Sequence, residues 1–167
     1  LVWLSGDFSI LGQSFGIEYS HPARVRKYSF MPHPPEVITQ LRVALSGMAD
    51  KNGLIIVSTV LERQNKLMGE FQFRDELAGR PCIVLDDNTG SVAAINSGYS
   101  RNVLTQVMQV TSGLRQSVDK ARQSAYYCNT LNMGIFDKTS RLEHEWVEKC
   151  NADLDWPWVY EEPGSDA

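Results

Sequence analysis

The stretch Pro-Cys-Ile-Val-Leu-Asp-Asp-Asn-Thr-Gly-Ser-Val-Ala-Ala-Ile-Asn, residues 81–96, decides how the chain is read. Its apolar first half, residues 81–86, reads as a strand. The small-residue half, from Thr89, reads as a helix that Gly98 closes as a left-handed cap. A strand of this kind delivers a carboxylate to its carboxyl end, where a sheet edge meets a crevice, and that placement suits metal-dependent chemistry. Asp87 is the acid so delivered and Asp86 its less favoured neighbour. In the plainer alternative, Asp87, followed by Asn-Thr, simply caps the next helix.

Upstream, Leu-Val-Trp-Leu (1–4), Phe-Gly-Ile-Glu-Tyr (15–19) and Arg-Lys-Tyr-Ser-Phe-Met (26–31) are short, aromatic-rich and separated by Gly, Ser and Pro. They predict three antiparallel strands. Prolines 32, 34 and 35 stop the third. Glu36 to Ser46 then carries Val37, Ile38, Leu41, Ala44 and Leu45 at helical spacing, with Gly47 as its stop. A turn at Asp50 to Gly53 precedes Leu-Ile-Ile-Val (54–57) and a longer helical pattern through Val60, Leu61, Leu67, Met68, Phe71 and Leu77, ending near Gly79. Downstream, Asn102 to Val118 reads as a helix whose buried stripe is Val103, Leu104, Val107, Met108, Thr111, Leu114 and Val118. Tyr-Tyr-Cys (126–128) supplies a fifth strand. Arg141 to Leu154 reads as a terminal amphipathic helix with Leu142, Trp146, Cys150 and Leu154 at four-residue steps. The domain is expected over 1–155, with a helical insertion at about 33–53 and a tail at 156–167.

At 167 residues and 43% apolar character, one domain with a sizeable core is expected, without staples. A net charge of −4 supplies no general basic field, so nucleic-acid binding would need a local patch or a neighbouring domain. The three cysteines, 82, 128 and 150, are widely spaced in apolar surroundings, and neither a zinc pattern nor a disulfide framework is evident. They predict reduced thiols in an intracellular protein, of cytoplasm or nucleus. No apolar run approaches the ~18 residues that span a bilayer, so no membrane is expected. The chain opens directly into strand-like sequence at Leu1, which suggests a domain cut from a longer polypeptide.

The order strand, strand, strand, helix, strand, helix, helix, strand, helix, with acids at four element ends, resembles the ribonuclease H domain. It is most similar to the version that follows reverse transcriptase in tyrosine-recombinase retroelements of the DIRS group. Four anchors carry the resemblance: residues 77–96, with Asp87; Leu61-Glu62, similar to the Leu-Glu pair opening the family's first helix; Asn132-Met-Gly-Ile-Phe-Asp137-Lys-Thr-Ser140-Arg141; and Trp3-Leu-Ser-Gly-Asp7-Phe-Ser9-Ile-Leu-Gly12. The third departs from the family by one extra residue before Asp137 and by Phe136 in place of Ala.

The resemblance implies an α/β ribonuclease H-like fold, a five-stranded mixed sheet with three antiparallel strands first and helices on both faces. It implies Asp7, Glu62, Asp87 and Asp137 as metal-binding catalytic carboxylates. Two Mg2+ or Mn2+ ions, ~4 Å apart, would activate water and stabilise the leaving oxygen of a phosphodiester. Carboxylates with no Cys/His cluster suit magnesium, and gathering them is unfavourable without a cation, because like charges raise one another's pKa.

Other readings stand beside these. Asp7 and Asp137 also read as ordinary surface acids. Thr59-x-x-Glu62 has the form of a capping box, and Glu70 lies two turns on along nearly the same face. The Glu36–Ser46 insertion separates Asp7 from Glu62 by more chain than relatives have. No histidine occurs between His33 and His144, whereas many relatives carry one shortly before the last acid.

By resemblance, Asn88, Arg101, Arg115, Lys120 and Arg122 would contact nucleic acid, with Ser91 and Asn96 as further neutral donors. Phosphates would be held by cations and the RNA strand read through its 2′-hydroxyls. The expected partners are an RNA/DNA hybrid and an upstream polymerase domain of the same polyprotein. The leading function is a metal-dependent endoribonuclease acting on the RNA strand of hybrids. The alternatives are an inactive ribonuclease H-like binding module and a related nuclease acting on DNA.

Overall fold

Along the first strand, β1 (Val2–Phe8), side chains alternate between two sides of a sheet. Val2 and Leu4 enter one apolar cluster with Phe15, Ile17, Phe73, Leu77, Cys82, Val84, Ile95 and Ala125. A second, smaller cluster of Tyr28, Phe136 and Val147 takes in Leu85, the neighbour of Val84. Helices therefore cover both faces of the sheet. The computed structural model describes residues 1–46, 51–129 and 134–164; Gly47, Asp50 and Asn132, which entered the readings above, lie outside them.

β1 pairs antiparallel with β2 (Gly12–Tyr19), and β2 antiparallel with β3 (Val25–Pro32). β4 (Pro81–Asp86) and β5 (Arg122–Tyr127) add in parallel on the other side of β1. The sheet is mixed, as the sequence predicted, but it has six strands rather than five, in the order β5-β4-β1-β2-β3-β6. The sixth, β6 (Val159–Tyr160), comes from the C-terminal tail, whose Tyr160 packs on the rings of Tyr28, Phe30 and His144. Two residues between Pro157 and Pro163 are too short a run for sequence periodicity to register.

The helices are α1 (Pro35–Ser46), α2 (Lys51–Gln72), α3 (Arg74–Leu77), α4 (Thr89–Ser97), α5 (Val103–Asp119), α6 (Gly134–Ser140) and α7 (His144–Asn151). Lys51 to Gly53, expected in a turn, belong to α2, which absorbs residues 54–57 as well. The short α3 follows it, so the long helix stops at Gln72 rather than near Gly79. Asn88 and Asn102 cap α4 and α5 by accepting from Ser91 N and Thr105 N, and Gly98 ends α4 at φ 70° as expected.

Two amphipathic readings are overturned. α5 buries Thr105, Gln109, Ser112 and Arg115, and it exposes Val103, Leu104, Val107, Leu114 and Val118, most of the stripe expected in the core, together with Val110. Most of the inward polar face meets α2, while Gln109 Nε2 donates to Ala94 O of α4 and Thr105 Oγ1 has no hydrogen-bond partner. Arg115 pairs with Glu70, Ser112 donates to both Glu70 oxygens, and Arg63 donates to Gln109. The terminal helix is also shorter than 141–154. It buries only Val147, while Leu142, Trp146 and Leu154 stay substantially exposed, and Leu142 takes a left-handed φ of 65° that interrupts the helix before His144.

Candidate metal centre

Asp7 lies near the end of β1 and Asp87 directly after β4, its parallel neighbour, so two adjacent strands deliver acids to the same end of the sheet. α2 crosses that end and contributes Glu62. One oxygen from each of the three carboxyl groups lies within 4.8 Å of the others. Glu62 sits in the middle of α2, not at its start, which removes the capping-box reading of Thr59-x-x-Glu62.

Three side chains fix α2 over the strand ends. Asn65 Nδ2 donates to Asp7 O (3.1 Å) and Ser14 O (2.9 Å). Lys66 Nζ donates to Gly6 O at 2.8 Å. Thr59 Oγ1 donates to Asn88 Oδ1 at 3.2 Å, joining α2 to the cap beside Asp87. The close approach explains Gly6: a Cβ there would lie 2.7 Å from the backbone oxygen of Ser14 and would also strike Asn65 Oδ1.

Asp7 and Glu62 are buried, and burial is the largest influence on both. It pushes Asp7 up to about 6, with the charge of Asp87 adding to the rise. It pushes Glu62 up to about 9 against the opposing pull of Lys66, with Asp7, Asp87 and Asp86 adding further. The metal-free cluster thus holds a proton at neutral pH, chiefly on Glu62, with a hydrogen bond between Glu62 and Asp7. A divalent cation would displace it.

The donor set, three carboxylates with no nitrogen or sulfur, fits a hard cation such as magnesium or manganese. Within the triplet, Asp7, Glu62 and Asp87 would hold it. Asp86, the neighbour of Asp87, is fully buried beneath the site; its Oδ1 accepts from Asn88 N at 2.9 Å, and its Oδ2 has no hydrogen-bond partner. Glu70, the other reading of the helix acid, is fully buried among Arg63, Arg115 and Ser112 and serves the α2–α5 interface.

The fourth acid is placed differently. Asp137, in the first turn of α6, is not part of the triplet, and its Oδ1 lies 3.3 Å from Arg141 Nε. α6 is nonetheless docked near the site, because Ser14, the β2 partner of Asp7, donates to Phe136 O at 2.7 Å.

The residues proposed for nucleic acid do not form one surface. Arg115 is buried in ion pairs with Glu70 and Asp119, so it cannot reach a phosphate. Arg122 opens β5 opposite Pro81 and Lys120 precedes it, so both lie at the other end of a six-residue strand from Asp87, roughly 20 Å away. Arg101 is exposed between α4 and α5. Asn88 stands beside Asp87, but its side-chain oxygen is engaged by Ser91 N and Thr59. Ser91 is buried, and Asn96 bonds both backbone groups of Ala125 in β5, so neither is free to read a substrate.

Two neighbours of the centre were not singled out in the sequence. Tyr127 is exposed at the end of β5, opposite Asp86. Lys66 is buried one turn after Glu62. The alternation Glu62, Lys66, Glu70 at four-residue steps was its signal, although such a run ordinarily marks a solvated helix face. A cleft of about 160 Å3 opens beside Glu62, lined also by Phe8, Ser9, Ile10, Ser58, Leu61 and by Leu41 of α1, so α1 borders the site. A cavity of about 790 Å3 is an apolar groove between α2 and α5 with no charged residue in its lining. It contains none of the three acids.

No protein-family model matches the chain, and no curated protein matches it. Fold and site together define an α/β domain with a mixed six-stranded sheet and a buried acidic centre at the carboxyl end of its central parallel pair. Among the described residues, no helix is long and apolar enough to cross a membrane.

Proposed function

We propose that this domain is a metal-dependent nuclease of the ribonuclease H type, cleaving the RNA strand of RNA/DNA hybrids. The observation that carries the reading is the convergence of Asp7, Glu62 and Asp87 from β1, α2 and the end of β4. Three antiparallel strands followed by two parallel ones, with helices on both faces, agree with the architecture implied by the sequence resemblance. A divalent cation there supplies Lewis-acid activation of water and charge stabilisation at the scissile phosphate. The chain's own part is positional. Asn65 and Lys66 hold α2 against β1, the Thr59–Asn88 contact holds it against the β4 end, and burial makes the carboxyls poor anions until a cation arrives.

The test is cleavage of a labelled RNA/DNA hybrid by the purified chain with Mg2+ or Mn2+, compared with duplex RNA and duplex DNA. Wild type should cut the RNA of the hybrid, and Asp87→Asn should reduce the rate by at least about a hundredfold. Undiminished cleavage by D87N would refute the assignment. Cleavage of duplex DNA alone would move it to a DNA nuclease. The ion pair that engages Asp137 with Arg141 favours the second reading, an inactive binding module. Hybrid binding without cleavage under any divalent ion would establish that alternative.

A further inference from the structure

The side chain of Lys66 is fully buried, and its ammonium stands in a cage of four oxygens. Gly6 O lies at 2.8 Å, Asn65 Oδ1 at 3.0 Å, Glu62 Oε2 at 3.4 Å and Asp86 Oδ1 at 3.8 Å. An ammonium has three N–H donors, and all three are spent, on Gly6, Asn65 and Glu62. The charge is therefore tethered in place. Two carboxylates, a backbone carbonyl and an amide oxygen are also the ligand types that a hard cation takes. Asp86, which has no route to solvent and an unpartnered Oδ2, has this ammonium as its cationic neighbour at 3.8 Å.

The carboxylates that remain for a dissociable ion are Asp7, Glu62 and Asp87, whose ligand atoms converge on a single locus. A second ion displaced from that locus would call on Asp137, whose carboxylate is engaged by Arg141. It would also have to lie near a fixed positive charge that already neutralises part of the cluster.

We propose that Lys66 is a built-in cation of this centre, so that the chain takes up one divalent ion, at Asp7, Glu62 and Asp87, instead of the two that the family resemblance implied. The inference rests on the nuclease reading only in needing a metal centre, and it changes the stoichiometry of that centre. Burial works against the Lys66 charge, but the facing carboxyls, Asp86 first and then Glu62, Asp7 and Asp87, outweigh it and keep its pKa above the ordinary lysine value.

The experiment is a Mn2+ titration of the whole chain, read by calorimetry and by the paramagnetic resonance of the unbound ion, neither of which depends on activity. Wild type should bind one equivalent, and Asp137→Asn should bind one with unchanged affinity. Lys66→Ala, which empties the cage without removing its oxygens, should bind two. Two equivalents on wild type, the second lost in D137N, would overturn the inference and leave the nuclease reading intact. A folded K66A that still binds one would also overturn it. If K66A does not fold by circular dichroism, the wild-type and D137N titrations decide alone. No binding to wild type would remove the metal centre, and with it the nuclease reading itself.

Discussion

Arg115 Nη2 lies 3.0 Å from Glu70 Oε1, and both side chains are sealed from solvent. Arg63, also fully buried, approaches the other Glu70 oxygen from within α2 at 3.6 Å. Two guanidiniums thus flank one carboxylate between α2 and α5, and Asp119, 3.6 Å from Arg115, balances the second charge. Deleting the Glu70 carboxylate leaves the buried Arg63 without its ion pair and Arg115 with only the more distant Asp119. Glu70→Ala should therefore cost about 3–5 kcal/mol, the range for breaking a buried pair from one side. Urea denaturation measures it, and a loss below about 1 kcal/mol would show that the network is solvated.

The same network predicts which face of α5 tolerates change. Val110→Gln and Leu114→Gln alter side chains that are 52% and 63% exposed, so each should shift stability by no more than about 0.5 kcal/mol. Ser112→Ala removes a buried hydroxyl that donates to Glu70 and accepts from Gln116 and Gln123, so it should cost about 1–3 kcal/mol. For Leu114 against Ser112 hydropathy periodicity predicts the reverse order, and a denaturation series on these variants separates the two pictures.

This reversal marks where the sequence was legible and where it was not. The helix at 103–119 was readable from the spacing of its apolar residues, which predicted it over about 102–118. Its orientation was not, because the inward partners Arg63 and Glu70 lie in another helix and look like surface charges until α2 is packed. Strand 81–86 and the cap at Gly98 were local features and came out where expected. The site was legible to the same extent. Asp87 follows from a strand end, Glu62 and Asp7 were implied only by the resemblance, and the structure brings the three together. Lys66 was not legible, because whether a lysine on a helix is solvated or caged depends on the tertiary positions of Gly6 and Asp86.

Asn88 has a structural duty that can be separated from any contact with substrate. Its Oδ1 accepts from Ser91 N at 2.9 Å and from Thr59 Oγ1. Asn88→Ala should destabilise the fold by about 1 kcal/mol, while Asn88→Asp or Asn88→Ser, which keep a capping oxygen, should recover most of the loss. Thermal melts of the three variants provide the measurement. A silent N88A would mean that the cap does not hold α4 and would free the residue for a role at the substrate.

Proton linkage at the acidic centre makes the last prediction. Asp7 and Glu62 titrate near 6 and near 9 in the metal-free fold, against ordinary values of 3.8 and 4.5. Between the ordinary values and the raised ones, the native state holds more protons than the unfolded chain, so stability falls as pH rises. Metal-free protein should therefore melt at progressively lower temperature from about pH 5 toward pH 9. A divalent cation binds the deprotonated carboxylates and expels those protons, so its affinity climbs over the same interval. Millimolar Mg2+ should raise the melting temperature little at the acid end and most at the alkaline end, opposing the decline. Lys66 should not reverse this trend, since its pKa is held above the ordinary lysine value and it stays charged throughout the window. Glu62→Gln, which removes the group with the larger shift, should flatten the metal-free profile above pH 7. Melting curves for wild type and E62Q with and without Mg2+ test the linkage, and a magnesium effect that does not grow with pH in wild type would contradict it.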